Sequence, residues 1–225
     1  MRVYGKNVLK ELVSDPNKIR KVYLKNNTNQ DIFKLVRDNN LRYEIVTNEV
    51  LNRLVDGNHQ GIVVDIKEYE YCSFEEILTS DRIIILDHLN DPHNFGAIIR
   101  TCEALGVKGI IVPKDRSVSV NETVIKVSSG AINYLNIYEG TNLVQTINKL
   151  KENNYFIYGT DLAGKDYNEV DYAPKAVVVI GSEGNGMSRL VKESCDEIIT
   201  IPMTGKINSL NASVATGIII SRIVR

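Results

Sequence analysis

The alternation of hydrophobic and polar positions along the first 70 residues predicts a compact α/β unit. Helices are predicted where apolar residues recur every three or four positions, and strands where β-branched and aromatic residues cluster between polar turns. The predicted helices cover residues 5–13, 30–38 and 48–55, and the predicted strands cover residues 21–24, 42–46 and 61–66. Because these elements account for less than a third of the 225 residues, a second domain must follow.

A weaker pattern at residues 71–80 predicts a linker with a short helix, followed by a second α/β domain at residues 81–225. Its strands are predicted at residues 82–86, 109–112, 134–138, 155–160, 176–180 and 197–201. Its helices are predicted at residues 94–105, 122–129, 142–153 and 188–194, with a last helix from about residue 210. Apolar strands separated by such helices indicate a parallel sheet covered on both faces. We therefore expect a fragment that starts near Ser80 to fold by itself.

Composition and charge exclude little. Lys and Arg number 27 against 28 Asp and Glu, so the net charge of −1 gives no overall sign of nucleic-acid binding. Four basic residues near the N-terminus, Lys18, Arg20, Lys21 and Lys25, make a slight local excess that an ordinary solvated surface explains equally well. No apolar stretch reaches the length of about 18 residues that a membrane span needs.

Cysteines and histidines do not have the spacing of a metal site. Cys72, Cys102 and Cys195 are far apart and odd in number, and His88 and His93 lie five apart beside a predicted turn. The N-terminus also lacks the apolar run of a secretory signal. We therefore expect a cytoplasmic protein with no metal and no membrane contact.

One glycine-rich segment, GTDLAGK at residues 159–165, follows a predicted strand with the spacing of a phosphate-binding P-loop. The next residue is Asp166, where a P-loop requires a Ser or Thr hydroxyl for Mg²⁺. No Gly-x-Gly-x-x-Gly follows the first strand of the second domain either. Both nucleotide-binding interpretations are therefore disfavoured.

Three other segments place polar residues or bare backbone just after apolar strands, where α/β sheets bind ligands. The first is DPHNFGAIIR at residues 91–100, in which Asn94 is a suitable N-cap and Arg100 is either a salt-bridged surface residue or a functional cation. The second is VIGSEGNGM at residues 179–187, whose glycines let the backbone reverse close to a ligand. The third is IPM at residues 201–203 with SLNASVA at residues 209–215, whose polar residues cap a helix or face a ligand.

In this order and spacing, the three segments resemble motifs 1, 2 and 3 of the SpoU-type (SPOUT class) RNA ribose 2′-O-methyltransferases. Two further segments, HQGI at residues 59–62 and VPKDRS at residues 112–117, resemble the RlmB-like branch, which methylates a guanosine of bacterial 23S rRNA. Asn208 departs from the pattern, since many members carry an acidic residue there. That difference concerns substrate detail more than the reaction class.

The resemblance implies a C-terminal α/β domain tied in a deep trefoil knot, with a parallel sheet and helices on both faces. It also implies a small N-terminal RNA-binding domain, residues 1–70, like ribosomal protein L30e, and a homodimer through the C-terminal domains. S-adenosylmethionine would bind in the knot. The implied cofactor-binding residues are Thr160, Gly181, Glu183, Gly184, Ile201, Met203, Leu210, Asn211 and Ala212. The expected RNA contacts are Lys18, Arg20, Lys21 and His59.

Five residues match the family's functional positions: Asn94, Arg100, Glu183, Ser209 and Asn211. We expect Arg100 to bind the reacting ribose-phosphate rather than to act as a base, because a guanidinium hardly loses its proton. Ser209 and Asn211 would orient the hydroxyl and the cofactor, Asn94 would position the substrate or Arg100, and Glu183 would order the glycine-rich loop. The expected activity is 2′-O-methylation of a guanosine in 23S rRNA. A tRNA methyltransferase and a non-catalytic RNA-binding protein on the same fold are the alternatives.

Overall fold

A computed structural model describes residues 1–182, 184–206 and 209–224. The chain divides into two compact units. The N-terminal unit consists of Met1–Glu70 and Val120–Gly130, and the C-terminal unit consists of Tyr71–Ser119 and Ala131–Arg225.

A four-stranded sheet with helices on both faces forms the N-terminal unit. Its elements in the first 70 residues are β1 (Arg2–Tyr4), α1 (Lys6–Leu12), β2 (Ile19–Lys25), α2 (Gln30–Asp38), β3 (Tyr43–Val46), α3 (Asn48–Leu54) and β4 (Ile62–Ile66). The strand order is β1-β4-β2-β3, in which β2 and β3 are parallel and β4 runs antiparallel to its neighbours. All six predicted elements are present. The sequence pattern missed β1, because three residues are too few to display an alternation.

A six-stranded parallel sheet forms the C-terminal unit. The elements that follow in the chain are α4 (Phe74–Ile77), β5 (Arg82–Asp87), α5 (Pro92–Ala104), β6 (Gly109–Pro113), α6 (Glu122–Ser128), β7 (Asn136–Gly140), α7 (Leu143–Glu152), β8 (Phe156–Asp166), β9 (Ala176–Gly181), α8 (Arg189–Glu193), β10 (Glu197–Thr200) and α9 (Ala212–Ile223). The strand order is β10-β8-β9-β5-β6-β7. All the predicted strands are present, and β8 extends six residues beyond its predicted end, through the P-loop-like segment. An extended strand there agrees with the rejection of a P-loop.

Alternate residues of the central strands pack on opposite faces of this sheet. Ile83 and Val177 belong to one buried cluster with Ile147 and Leu150 of α7 and Val191 of α8. The other face is covered by α9, which contacts β9 and packs against α5. The predicted parallel sheet with two covered faces is therefore confirmed. The trefoil knot that the resemblance implies stays a prediction.

Residues 71–80 are part of the C-terminal unit rather than a free linker. The Ser73 side chain accepts a hydrogen bond from the backbone N–H of Glu76, and the Glu76 carboxylate accepts one from the backbone N–H of Ser73. These two bonds form a capping box at the N-terminus of α4. Ile77 is fully buried in the core, and the backbone N–H of Cys72 donates to the Ile137 carbonyl at 2.9 Å. The sequence pattern is weak here because α4 is only four residues long, and the segment is nevertheless folded into the C-terminal unit.

The helix α6 belongs to the N-terminal unit, although the sequence division places it in the second domain. Its first residue, Glu122, accepts a hydrogen bond from the backbone N–H of Arg2 at 3.0 Å, and Lys126 lies 4.5 Å from the centre of the Tyr4 ring. Val124 is fully buried. A fragment that starts near Ser80 would carry α6 without these partners, which weakens the expectation that it folds by itself.

Candidate functional site

A cavity of about 460 Å³ lies at the carboxyl ends of the central strands of the C-terminal unit. Ligands of open α/β sheets bind at this edge. The residues that line it are Thr160, Asp161, Leu162, Ile180, Gly181, Ser182, Gly184, Asn185, Gly186, Ile199, Thr200, Ile201, Met203, Ser209, Leu210, Ala212, Ala215 and Ile219. The second and third sequence motifs therefore meet at one place, and the lining is largely apolar side chain and bare backbone.

Most residues predicted to bind the cofactor line this cavity. They are Thr160, Gly181, Gly184, Ile201, Met203, Leu210 and Ala212. Ser209, predicted to be catalytic, lines it as well. Asn211 lies between two lining residues but is not itself in the lining, and Glu183 lies outside the described residues.

The glycine-rich loop closes on itself directly after β9. Ser182 and Gly186 exchange backbone hydrogen bonds of 3.1 and 2.9 Å, which hold these two residues side by side in an antiparallel bridge. Gly181 lies against this reversal: a Cβ there would come within 2.2 Å of the Gly186 carbonyl carbon and 2.4 Å of the Met187 nitrogen. Glycine is therefore required at this position by the loop itself rather than by the cavity.

A buried carboxylate anchors the far end of this loop. Asp87, at the end of β5, is fully buried, and its Oδ2 accepts a hydrogen bond of 2.6 Å from the backbone N–H of Ser188. Its Oδ1 is hydrogen-bonded to Nδ1 of the half-exposed His88. Sequence reasoning did not select Asp87, because an acidic residue at a strand end has no distinctive local signal.

The carboxylate of Asp161 is a second group that sequence reasoning missed. It lines the cavity and pairs with Lys192 of α8 at 2.6 Å. The hydrogen bond from Lys192 lowers the pKa of Asp161, against a smaller opposing effect of partial burial. The two residues are 31 positions apart, so no local motif joins them.

We expect this pair to make folding stability depend on pH. Because the pKa of Asp161 is lowered in the folded protein, its stabilisation is present above the ordinary aspartate range and is lost as the pH falls through the lowered value. Lys192→Met should lower the free energy of unfolding by about 0.5–1 kcal/mol at neutral pH, since the pair is partly exposed. Urea unfolding of both proteins across the acidic range measures this difference, which should shrink towards low pH; a constant difference would contradict the assignment.

Asn94 does not cap α5, so its predicted role as the N-cap of this helix is wrong. Its predicted role in positioning the substrate is a separate question. The helix begins a half turn earlier, at Pro92, and the Asp91 side chain caps it by accepting from the backbone N–H of His93 at 2.9 Å. Proline suits this first helical position, because it has no N–H to satisfy. Asn94 therefore lies inside the helix as a buried polar residue.

The side chains of Asn94 and Asn211 meet, although 117 positions separate them. The Asn211 amide nitrogen donates to Oδ1 of Asn94 at 2.9 Å. The Oδ1 of Asn211 caps α9 by accepting from the backbone N–H groups of Ser213 and Val214, and it also accepts from the Ser213 hydroxyl at 2.6 Å. These bonds to Oδ1 fix which way the Asn211 amide faces, so motifs 1 and 3 are joined by a directed hydrogen bond.

Arg100 is exposed on α5, and none of the described carboxylates lies within 4.0 Å of it. The interpretation of Arg100 as a salt-bridged surface residue therefore has no support in the described part of the chain. Arg100 follows Asn94 by six positions, which places it on a different side of the helix, and it is not part of the cavity lining. Its guanidinium is free to bind an anion that approaches from solvent.

The residues predicted to contact RNA do not form one basic patch. Lys18 lies 3.5 Å from the carboxylate of Asp15, and Lys21 lies 2.6 Å from that of Glu44. The hydrogen bond to Glu44 raises the pKa of Lys21. Arg20 is exposed and lies where the pairing of β2 with β4 shifts register, between Ile19 and Lys21.

His59 is held within the N-terminal unit. It is 7% exposed, its Nδ1 accepts from the backbone N–H of Gly61 at 3.0 Å, and its Nε2 contacts the Asn52 side-chain oxygen at 2.9 Å. His59 therefore organises the turn before β4, and its contact with RNA stays a prediction.

A second cavity, of about 690 Å³, lies at the amino ends of the strands, beside Arg82, Lys108 and Asn136. It is larger, but it is at the wrong edge of the sheet for ligand binding. The Arg82 guanidinium already donates to the carbonyls of Ile223 and Pro174. Among the described residues, no cluster of His, Cys, Asp or Glu could hold a metal ion, and no helix is long and apolar enough to cross a membrane.

Two family models match the chain. Residues 81–221 match the SpoU rRNA methylase family, and residues 2–72 match the RNA 2′-O ribose methyltransferase substrate-binding family. The chain belongs to the SpoU rRNA methylase family. Members of this family are RNA methyltransferases, so the predicted enzyme class is confirmed.

Curated relatives of this SpoU-family chain are also assigned as RNA methyltransferases. A protein of Staphylococcus saprophyticus, assigned to the TrmH family of tRNA/rRNA methyltransferases, is 40% identical over 99% of this chain and 94% of its own length. YacO of Bacillus subtilis, with the same assignment, is 38% identical over the same shares of the two chains. These names leave open whether the substrate is rRNA or tRNA.

Solved structures share the fold along the whole chain. The SpoU methyltransferase AviRb of Streptomyces viridochromogenes, solved with S-adenosylmethionine, has a TM-score of 0.85 at 21% identity and matches 100% of this chain and 89% of its own. An S-adenosylmethionine-bound rRNA methyltransferase of Sinorhizobium meliloti has a TM-score of 0.82 at 22% identity and matches 99% of this chain and 85% of its own. At this identity the likeness concerns the fold alone.

Proposed function

We propose that this SpoU-family protein transfers a methyl group from S-adenosylmethionine to the ribose 2′-hydroxyl of a guanosine in 23S rRNA. The observation that carries the proposal is the convergence of the second and third motifs on one cavity at the ligand-binding edge of the sheet, beside the hydrogen bond between Asn94 and Asn211. Residues far apart in sequence meet there, at the edge where α/β sheets bind ligands.

The cavity fits the proposed cofactor. Its volume of about 460 Å³ lies in the usual range for small-molecule sites. Apolar side chains such as Leu210 and Ile219 suit the adenosine, and backbone groups near Gly181 and Ile201 can bond its polar edge. The carboxylate of Asp161, held by Lys192, can accept a further hydrogen bond from the cofactor's ammonium group at the cavity wall. When bound, S-adenosylmethionine supplies a methyl group on a positively charged sulfur.

Ser209 in the cavity wall, the pair of Asn94 and Asn211, and the exposed Arg100 of α5 would hold the reacting ribose. Arg100, whose charge is unpaired among the described residues, would bind the phosphate or the developing negative charge on the 2′ oxygen, a role that suits a planar fork of donors. Asn211, held by its bonds to α9, would keep Asn94 oriented towards the substrate. Ser209 would orient the hydroxyl from the cavity wall.

Three features favour 23S rRNA over tRNA as the substrate. The chain carries the segments HQGI and VPKDRS, which resemble the RlmB-like branch, and it has a separate N-terminal unit that matches a substrate-binding family. The tRNA enzymes of this class typically use basic terminal extensions instead. We also propose a homodimer through the C-terminal units and a cytoplasmic location, where the substrate RNA is found.

In vitro methylation tests the proposal. Purified protein, labelled S-adenosylmethionine and separate transcripts of 23S rRNA and tRNA should give a methyl group on one guanosine ribose of 23S rRNA, mapped by nuclease digestion and mass spectrometry. Methylation of tRNA would favour the alternative substrate. No transfer to either RNA, together with RNA binding, would favour a non-catalytic protein.

Ser213 offers a test of the hydrogen bond between the motifs. Its hydroxyl helps to hold the Asn211 amide, so Ser213→Ala should lower the turnover rate roughly tenfold through loss of orientation, while Ser213→Thr should keep most activity. Ser221→Ala is the matched control, because in the described part of the chain that hydroxyl donates to the Ile218 carbonyl of the same helix and to no other group. Equal rates for the two alanine variants would remove Ser213 from this role.

A further inference from the structure

The rim of the N-terminal unit beside β3 exposes apolar side chains that the fold does not cover. Tyr43 is 40% exposed and Ile45 is 51% exposed, and both lie on the same face of this strand. The Phe33 ring of α2 meets the Tyr43 ring edge-on, with 5.3 Å between ring centres. We name Phe33, Tyr43 and Ile45 the β3 rim.

The β3 strand is also an edge of its sheet, since β2 pairs with one side of it only. The outward backbone N–H and C=O groups of such a strand are unpaired and can bond a ligand. An exposed apolar edge strand favours aggregation unless a partner covers it.

Unpaired cations surround the β3 rim. Lys34 and Arg37 line a groove of about 590 Å³ beside Phe33, and Arg42 immediately precedes β3. No described carboxylate lies within 4.0 Å of any of these three cations, although Asp38 also lines the groove. Lys18 and Lys21 differ from these three cations, because each already forms an ion pair with a carboxylate.

Stacking platforms beside unpaired cations are the chemistry that recognises single-stranded nucleic acid. Unstacked bases lie on aromatic rings, and Lys and Arg bind the phosphates between them. We propose that the β3 rim, with Lys34, Arg37 and Arg42, binds a single-stranded segment of the substrate RNA. The inference rests on the proposed function only in taking RNA as the substrate, and it replaces Lys18 and Lys21 as the principal contacts.

Fluorescence anisotropy with the full-length protein tests the inference, using a labelled single-stranded RNA of about 16 nucleotides and mixed sequence. The charge variant is Lys34→Gln with Arg37→Gln, and its matched control is Lys18→Gln with Lys21→Gln, which removes the same charge from the same unit. The first should weaken binding about tenfold and reduce the slope of log affinity against log salt by about 1.4. The control should stay near the wild-type affinity.

Tyr43 gives an independent readout that charge does not affect. Tyr43→Ala should weaken binding about tenfold through loss of stacking, whereas Tyr43→Phe keeps the ring and should bind as the wild type does. Thermal unfolding by circular dichroism checks that each variant is folded. If Tyr43→Ala does not fold, the variant with Lys34→Gln and Arg37→Gln still decides the test, because both of these side chains are exposed.

The outcomes separate this inference from the proposed function. If the wild-type protein binds no RNA, the proposed function fails as well. If it binds RNA but the Lys18 and Lys21 control loses as much affinity as the Lys34 and Arg37 variant, the β3 rim assignment alone is overturned. If the Tyr43→Ala variant binds RNA normally but changes the mass measured by light scattering, the edge contacts a second copy of this chain instead, which also overturns it.

Discussion

Arg100→Ala is expected to reduce methyl transfer to RNA by about a hundredfold or more, which is the scale of removing one preorganised donor from an active site. The guanidinium is exposed and unpaired among the described residues, so the fold does not depend on it. Arg100→Lys should recover little activity, because an ammonium lacks the planar fork that grips a phosphate. Single-turnover rates with labelled S-adenosylmethionine measure the loss.

Two measurements make this result specific. Calorimetric affinity for S-adenosylmethionine should be unchanged in Arg100→Ala, since Arg100 is not part of the cavity lining. Arg189→Ala removes an exposed arginine whose one partner among the described residues is Glu193, and it should leave the transfer rate intact. Appreciable turnover by Arg100→Ala would exclude Arg100 from the mechanism.

Gly181→Ala is expected to abolish detectable binding of S-adenosylmethionine. The added methyl group cannot fit at 2.2 Å from the Gly186 backbone, so the reversal between Ser182 and Gly186 must move, and this reversal forms one wall of the cavity. Isothermal calorimetry gives the affinity directly.

Gly217→Ala is the matched control for this substitution. A Cβ at Gly217 would meet the Thr101 methyl group at 3.5 Å, an ordinary contact, and alanine favours a helix. Its cofactor affinity should equal that of the wild type. Normal affinity in Gly181→Ala would mean that the loop adapts and that the cavity is misplaced.

The sequence predicted the strands of the C-terminal unit well because they are continuous apolar runs, as in Ile83–Leu86 and Val177–Ile180. It missed the second half of β8, where Asp161, Lys165 and Asp166 are polar and typical of a loop. Lys165 and Asp166 pair with Ile199 and Thr200 of β10, which extends the strand through this segment. Such pairing depends on a partner more than 30 positions away, which no local pattern records.

The sequence identified individual residues of the candidate site, but it did not predict how they are arranged in space. Motif resemblance selected Asn94, Arg100 and Asn211, yet their geometry depends on how α5 and α9 pack. The helix start is a case in point, because the Asp91 side chain caps α5 and Asn94 lies inside the helix, where it accepts a hydrogen bond from Asn211. The folded structure also determines which cations form ion pairs. Lys18 and Lys21 have carboxylate partners, whereas Lys34 and Arg37 have none among the described residues.

The helix α6 has a consequence for the order in which the protein folds during synthesis. Domains generally fold from the N-terminus as the ribosome releases them. Here the N-terminal unit needs Val120–Gly130, so it stays incomplete until the first two strands of the parallel sheet have also left the exit tunnel. Until then, the surface that receives the buried Val124 is uncovered, and a nascent chain arrested before residue 120 should be more sensitive to protease in its first 70 residues than the finished protein.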